Sequence, residues 1–164
     1  MHHQVAVENY WKVECVGEDG KLKWVEEFSY RVVTEGLNTL LNNSAVTAFT
    51  RVVEWFVGLK AGVAGDAAGD TLASHAGWTE STPYAGNRPA WTENGVASGG
   101  AASNSAAKAA FTINATATVT GAFLASVNTG TAGLLYGVGD FTTARSVISG
   151  DTLNVQVDLT AVTV

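Results

Sequence analysis

The chain has 164 residues, with nine Lys and Arg against fifteen Asp and Glu and a formal net charge of −6. A chain of this length can bury the core of one domain without disulfides or structural metal ions. The single cysteine, Cys15, cannot form an internal disulfide. The negative charge opposes attraction to phosphates, and no apolar run is long enough to cross a bilayer. We therefore expect neither nucleic acid nor a membrane as a partner.

The charged residues are concentrated at the start of the chain. Residues 1–60 hold six of the nine Lys and Arg and eight of the fifteen acids. The remaining residues, 61–164, are rich in Ala, Gly, Thr, Ser and Asn, whereas the surface of a free monomer usually carries more Lys and Glu. This composition indicates that much of 61–164 faces other protein.

The first part of the chain is predicted to be a β-hairpin, within residues 1–33. Residues 4–16 alternate between apolar and polar with the period of a half-buried strand, and Asn9 is the one exception. Gly17–Gly20 supplies turn residues, and a second alternating strand follows, with Glu26 as the only break on its apolar face. The inward residues are predicted to be Val5, Val7, Trp11, Val13 and Cys15 on the first strand and Leu22, Trp24, Phe28, Tyr30 and Val32 on the second.

A short helix is predicted over residues 34–44. Thr34 can cap it, Leu37, Leu40 and Leu41 share one side of it, and Asn42-Asn43-Ser44 would end it. The next segment fits either a helical stripe or a buried strand, and we favour a strand over Val52–Leu59.

A long loop is predicted over residues 61–107. This segment holds eight of the eighteen glycines and both prolines, which favours loop with short strands, and Asp70 could cap one helical turn over 71–75. A loop of this length is uncommon in a compact domain, so we expect it to pack on a sheet or on a neighbouring molecule.

The last third of the chain returns to alternation. Ala109–Thr120 is the clearest predicted strand, Gly121 is expected to break or kink it, and 122–127 would continue it. The final strand is predicted over 152–163, with inward Leu153, Val155, Val157, Leu159 and Ala161. About seven short strands separated by turn signals predict an all-β fold, a β-sandwich or jelly roll. We expect one domain over 1–164, with 45–164 forming the sandwich behind the hairpin and the helix.

No residue set predicts catalysis. His75 lies near Asp66, Asp70 and Ser74, yet no nucleophile elbow and no second internal histidine accompany it, so a polar loop histidine is the favoured interpretation. Asp66, Asp70, Asp140 and Asp151 each follow a glycine, but a calcium-binding loop is absent and turn chemistry explains this pairing better. We therefore expect no enzyme activity, no metal and no cofactor.

Three loop aromatics, Trp78, Tyr84 and Trp91, are candidates for binding or packing. Together with Asn87 and Arg88 they are typical of modules that hold sugars on aromatic platforms. Loop aromatics more often close the end of a sandwich, because their large apolar area favours burial, and we favour that role.

Six sequence blocks carry a resemblance to a known family: Lys21–Phe28, Val33–Asn38, Trp55–Lys60, Gly69–His75, Arg88–Trp91 and Gly150–Val155. Together they resemble small structural proteins of tailed-phage virions, either capsid decoration (cement) proteins or closely related virion proteins. The resemblance implies a protein made in the bacterial host cytoplasm that binds the major capsid protein on the capsid surface and stabilises contacts between capsid subunits. It also implies a homo-oligomer, a trimer first and a dimer second.

The alternative function is a receptor- or carbohydrate-binding module of a phage tail or head fibre, which would use the three loop aromatics. For the assembly function, we expect the contacts to be made by 61–107 and by the N-terminal residues 1–8. The first is nearly free of Lys and Glu, and the second can extend a sheet edge.

Overall fold

The computed structural model describes residues 5–63 and 65–163, which form two antiparallel sheets and one helix. The predicted all-β sandwich with one short helix is confirmed. The elements in chain order are β1 (Val5–Val16), β2 (Leu22–Phe28), β3 (Arg31–Val32), α1 (Thr34–Ala45), β4 (Trp55–Gly62), β5 (Trp78–Ser81), β6 (Ala90–Trp91), β7 (Ala101–Ser103), β8 (Ala109–Thr112), β9 (Ala117–Ala125), β10 (Leu135–Val147) and β11 (Thr152–Thr163).

Each sheet combines strands from distant parts of the chain. The first sheet has the order β2-β1-β11-β7, with β8 also paired to β11. The second has the order β3-β10-β9-β4-β5, with β6 also paired to β4. The first and last long strands therefore lie side by side, in a register that runs from Val5 opposite Thr163 to Val16 opposite Thr152.

The N-terminal hairpin is present, and most of its predicted inward residues are buried. Trp11, Val13 and Cys15 are 0 % exposed. The prediction that Leu22 points inward is wrong, because Leu22 lies at the turn end of β2 and is 60 % exposed. The side chain of Val5 and all of residues 1–4, including His2 and His3, lie outside the described residues.

The predicted strand Ala109–Thr120 is wrong as a single strand. Its first half is β8, which pairs with β11 in the first sheet, and its second half belongs to β9 in the second sheet. Phe111 and Val119 still face the same core, because that core lies between the sheets and each sheet has an inward face. Gly121 does not break the strand, since β9 continues through it to Ala125, but the pairing register with β10 shifts beside Gly121, between Asp140 and Arg145.

The helix lies where it was predicted, but its cap and its buried side differ. It begins at Thr34 without a side-chain cap, and its buried residues are Gly36 and Thr39. Leu37 and Leu41 are 44 % and 64 % exposed. The reason is close approach to β10: a Cβ on Gly36 would lie 2.0 Å from the carbonyl oxygen of Tyr136. Only the small-residue side of α1 can dock this closely.

Two further segments correct the prediction. The strand predicted to begin at Val52 begins at Trp55, because Val52 instead exchanges main-chain hydrogen bonds with the Asn43 side chain at 3.0 and 3.2 Å. The helical turn predicted over 71–75 is a tight turn in which Thr71 and Ser74 exchange main-chain hydrogen bonds.

The core has two layers, and the second sheet separates them. The larger cluster lies between the sheets and joins Trp11 and Val155 of the first to Leu59 and Leu124 of the second. The smaller cluster lies on the outer face of the second sheet, where residues 61–107 contribute Leu72 and Trp78. This long segment therefore packs on a sheet, which leaves the second sheet covered on both faces.

One edge of the first sheet is open. Strand β2 ends at Phe28, which pairs with Trp11, and the chain then crosses to β3 in the second sheet. Residues 5–10 of β1 consequently pair with β11 on one side and, within the described chain, with no strand on the other. This segment is named the β1 edge below.

Candidate functional site

The ring of Trp78 is buried on the outer face of the second sheet. It is 3 % exposed, His75 stacks on it with ring centroids 3.6 Å apart, and Phe123 lies 5.3 Å from it. Its indole N–H donates a hydrogen bond of 3.1 Å to Asp70. A Cβ on Gly58 would lie 2.1 Å from the Phe123 ring, so this glycine gives Phe123 its space. Little of the Trp78 ring remains open to a sugar.

The structure does not bring the other two loop aromatics to Trp78. Tyr84 is 7 % exposed and meets Phe111 edge to face at 4.7 Å. Trp91 is half-buried opposite Trp55, and its indole N–H donates to the carbonyl of Val157 at 3.1 Å. Both rings pack against the core between the sheets, on the other side of the second sheet from Trp78. The three rings therefore form no common platform.

Arg88 fixes the loop to the second sheet, a role that the sequence did not reveal. Its guanidinium binds both carboxylate oxygens of Glu80 at 2.7 Å, and it also donates to the carbonyls of Val127 and Gly130 at 2.8 and 2.9 Å. The residue is only 4 % exposed. A bidentate, buried contact of this kind holds a segment in one geometry, so Arg88 is not free to bind a ligand.

The residues considered as a hydrolytic group, among them His75, Asp70 and Ser74, make structural contacts. The Nδ1 atom of His75 lies 3.0 Å from the carbonyl oxygen of Trp78, and Asp70 accepts hydrogen bonds from the Trp78 indole and from the Ala67 N–H. Ser74 closes its tight turn with Thr71. Over 5–63 and 65–163, no hydrogen bond joins His75 to a serine or a carboxylate, so the nucleophile–base contact of a triad is not formed.

The four aspartates that follow glycines each have their own partner. Asp66 binds Arg31 at 2.7 Å, Asp140 binds Lys60, and Asp151 binds Lys23 at 2.7 Å. Asp70 accepts hydrogen bonds from the Ala67 N–H in the loop and from the Trp78 indole N–H. In the part of the chain that the structure describes, no three His, Cys, Asp or Glu side chains are placed to hold a metal ion.

The buried Cys15 and Asp151 form a small cluster with the exposed Lys23. The thiol donates to Asp151 at 3.6 Å, while the ammonium of Lys23 binds both carboxylate oxygens. Burial, followed by the charge of Asp151, raises the pKa of Cys15 to about 11. Burial opposes the ionisation of Asp151, yet hydrogen bonds from Lys23 and from the Ile148 N–H outweigh it and lower that pKa. The cysteine is thus held as an unreactive thiol, the opposite of what a nucleophile needs.

A buried ion pair crosses three strands of the second sheet. Lys60 on β4 and Asp140 on β10 are both opposite Gly121 of the intervening β9. Because Gly121 has no side chain, the Lys60 ammonium reaches the Asp140 carboxylate, which also accepts the Gly65 N–H at 2.9 Å. Lys60 is 0 % exposed. The pair fixes the start of the long loop to the sheet.

The exposed side of α1 carries no charge and mixes the apolar Leu37 and Leu41 with the polar Thr34, Asn38 and Ser44. Glu35 is its one charged residue, and its carboxylate accepts the Leu135 N–H at 2.6 Å. We name the α1 surface by Leu37, Leu41 and Val46, which are 44 %, 64 % and 46 % exposed. A surface helix normally places charged side chains on its outer face, so this pattern is typical of a helix that contacts another protein.

A groove of about 460 Å³ lies along the β1 edge. It is lined by Val7, Glu8, Asn9, Tyr10, Ser29, Tyr30 and Thr160. Two polar atoms of these residues, Oδ1 of Asn9 and the Tyr30 hydroxyl, are buried and have no hydrogen-bond partner among the described residues. Both atoms are buried beneath the groove and not open to it, so the groove is the second candidate contact surface because it follows an open strand edge.

The comparisons with known proteins identify no relative. No family model, no curated protein and no solved structure matches the chain. Among residues 5–63 and 65–163, no helix has the length and apolar character to cross a membrane.

Proposed function

We propose that the chain is a non-enzymatic structural protein that binds other proteins through uncharged surfaces. Specifically, we propose that it sits on the outside of a tailed-phage capsid and stabilises contacts between capsid subunits. The α1 surface is the observation that carries protein binding. The capsid as the partner rests on the sequence blocks that resemble decoration proteins.

Burial of Leu37 and Leu41 removes no charged side chain of the helix face from water, whereas the exposed Arg51 lines a groove beside Val46 at the end of the α1 surface. Full burial of one leucine side chain stabilises a complex by roughly 1.5–3 kcal/mol. All three basic residues after position 60 are already paired within the chain, Arg88 with Glu80, Lys108 with Glu14 and Arg145 with Glu26. The surface formed by 61–164 therefore contributes little free positive charge, which favours apolar contacts over electrostatic ones.

The chemistry-bearing side chains support a structural protein in a second way. Cys15, His75 and the aspartates are all committed to internal contacts, as described above. The carbohydrate alternative needs exposed aromatic faces, whereas Trp78 and Tyr84 are 3 % and 7 % exposed. Protein binding is therefore the better supported of the two functions.

The test is binding to capsids that lack this protein. We expect the wild type to co-sediment with such capsids and to raise the temperature at which they break. The double variant Leu37→Glu/Leu41→Glu places charge on the α1 surface without touching the core and should lose most of this binding. Thr116→Glu/Thr143→Glu adds the same charge at exposed positions away from α1 and is the matched control.

Two results would count against the proposal at different levels. If the leucine variant binds as well as the control, α1 is not the contact surface. If the wild type itself neither binds nor stabilises the capsids, the capsid is not the partner.

A further inference from the structure

The β1 edge has main-chain groups that pair with no strand among residues 5–63 and 65–163. In an antiparallel sheet the N–H and C=O of one residue point to the same neighbour, and successive residues alternate between the two neighbours. On β11, the N–H groups of Val157 and Ala161 bond on the β7 side, to Asn104 and Gly100. The main-chain N–H and C=O groups of the even-numbered residues of β11 therefore point to β1. Their partners on β1, such as Glu8 opposite Thr160, are also even-numbered.

It follows that the main-chain N–H and C=O groups of the odd-numbered residues of β1 point away from β11. The Gly17 N–H, which follows β1 and is also odd-numbered, donates to the Lys21 carbonyl on the β2 side, in agreement with this alternation. Where β2 is present, Trp11, Val13 and Cys15 bond to it. Beyond its end, the N–H and C=O groups of Val5, Val7 and Asn9 point to the open side. They form a row ready to pair with one more strand.

We infer that the β1 edge pairs with the β1 edge of a second copy of this chain, as antiparallel strands about a twofold axis through Val7. The capsid proposal is not needed for this step, since two copies can pair with or without a capsid. Such an interface is isologous, because the same surface serves both partners.

The register follows from the length and phase of the open segment. The free main-chain groups belong to odd-numbered residues between Val5 and Asn9, and pairing beyond Asn9 is blocked by β2. Pairing Val7 with Val7 and Val5 with Asn9 uses every free group on both strands, whereas a shift by two residues leaves some of them unpaired. The groove beyond Asn9 leaves room for the partner strand to pass Ser29 and Tyr30.

Charge is also compatible with self-pairing in this register. Glu8 of one copy lies opposite Ala6 of the other, so the two exposed Glu8 carboxylates are diagonal neighbours on one face of the pair and not directly opposite each other. Like charges directly opposite each other would destabilise the pairing. The contact is short and below the usual size of stable interfaces, so we expect a weak dimer whose population depends on concentration.

Sedimentation of the full chain over a range of concentrations, up to about 1 mM, tests the inference. The wild type should pass from monomer to dimer. Val7→Pro removes a free edge N–H without removing a bond to β11, and its ring blocks the partner, so this variant should stay monomeric. Val7→Thr keeps the N–H and is the matched control, expected to dimerise. A wild type that remains monomeric, or that forms trimers, overturns the inference.

A charge pair covers the case in which Val7→Pro fails to fold. Ala6→Glu places like charges opposite Glu8 twice in the dimer and should weaken it roughly tenfold, whereas Ala6→Lys should strengthen it. Equal dimerisation of these two variants overturns the register.

Amide exchange gives an independent readout at each residue. On raising the wild-type concentration, Val7 and Asn9 should gain protection, while Glu8, already bonded to β11, should not change. Protection that rises at even-numbered and odd-numbered residues alike contradicts the pairing.

Discussion

At the scale of single residues, this protein stabilises buried charge with partners on distant strands. Lys60 and Asp140 are eighty residues apart in sequence, and Glu26 on β2 binds Arg145 on β10 at 2.6 Å. Glu26 is only 4 % exposed. Glu26 interrupts the apolar alternation of its strand. The local sequence could not explain this interruption, because the partner Arg145 lies far along the chain.

The two members of the Lys60–Asp140 pair should differ in the cost of their removal. Asp140→Asn leaves the 0 % exposed Lys60 without a counter-charge and should lower the free energy of unfolding by about 3–5 kcal/mol. Lys60→Met should cost less, because the Asp140 side chain is 22 % exposed and keeps the Gly65 N–H. Denaturant unfolding of both single variants and the double variant measures this.

The control for that cycle is an exposed pair. The side chains of Lys21 and Asp19 are 82 % and 58 % exposed, so Asp19→Asn should change the free energy of unfolding far less than Asp140→Asn does. Equal costs for Asp19→Asn and Asp140→Asn would show that burial does not decide the strength of these pairs.

The stabilising effect of Asp151 should depend on pH. Its pKa in the folded protein is lowered from 3.8, since the Lys23 and Ile148 hydrogen bonds outweigh the effect of burial. A lowered pKa means that the carboxylate stabilises the fold above pH 3.8, and that this contribution is lost as the pH falls through the folded value. The difference in unfolding free energy between wild type and Asp151→Asn should therefore shrink below pH 3.8. A difference that stays constant with pH would contradict the assignment.

At the scale of elements, the small residues decide how the helix docks. Helix α1 buries Gly36 and Thr39 fully and Leu40 partly, while Leu37 and Leu41 stay exposed, and the Thr39 hydroxyl donates to the Glu35 carbonyl at 2.8 Å. The leucine spacing predicted the helix, but spacing alone does not say which side has a neighbour. The close approach of Gly36 to β10 settles that choice, and it leaves Leu37 and Leu41 outward for the proposed contact.

Gly36→Ala tests this docking by the sign of its effect. In a free helix the change would stabilise by about 1 kcal/mol, because Ala has the higher helix propensity. Here the new Cβ would lie 2.0 Å from the Tyr136 oxygen, so we expect destabilisation by roughly 1–3 kcal/mol. Asn38→Ala changes an exposed position of the same helix and should be neutral or slightly stabilising. Thermal or denaturant unfolding distinguishes the two signs.

At the scale of the whole molecule, one core joins the two sheets. Phe111 and Val157 lie in it at 1 % and 0 % exposure. Phe111→Asp or Val157→Asp would bury an unpaired charge there and should cost on the order of 3 kcal/mol or more. Both sheets should then lose stability in one transition, which fluorescence and circular dichroism would follow together.

Gln156→Asp is the control for Val157→Asp, since Gln156 points outward from the same strand. It should cost far less than the core substitution. If Val157→Asp unfolds no more readily than Gln156→Asp, the inward face of β11 has been misassigned.

The sequence by itself determined the features that depend on local order. Period-two alternation located β1, β2 and β11, leucine spacing located α1, and glycine and proline content located the long loop. These signals are local because a strand or helix with one buried face must repeat with its own geometry, whichever element covers it.

Only the tertiary structure decided how those elements share partners. The alternation of Ala109–Thr120 could not show that its two halves join different sheets, since both halves face one core. Burial of Trp78, exposure of Leu37 and the charge partner of Lys60 depend on strands far away in sequence. The β1 edge is open for the same reason: β2 stops where the chain crosses to the second sheet, whereas the alternation of β1 runs on past that point to Val7 and Val5 with Asn9 as its one interruption.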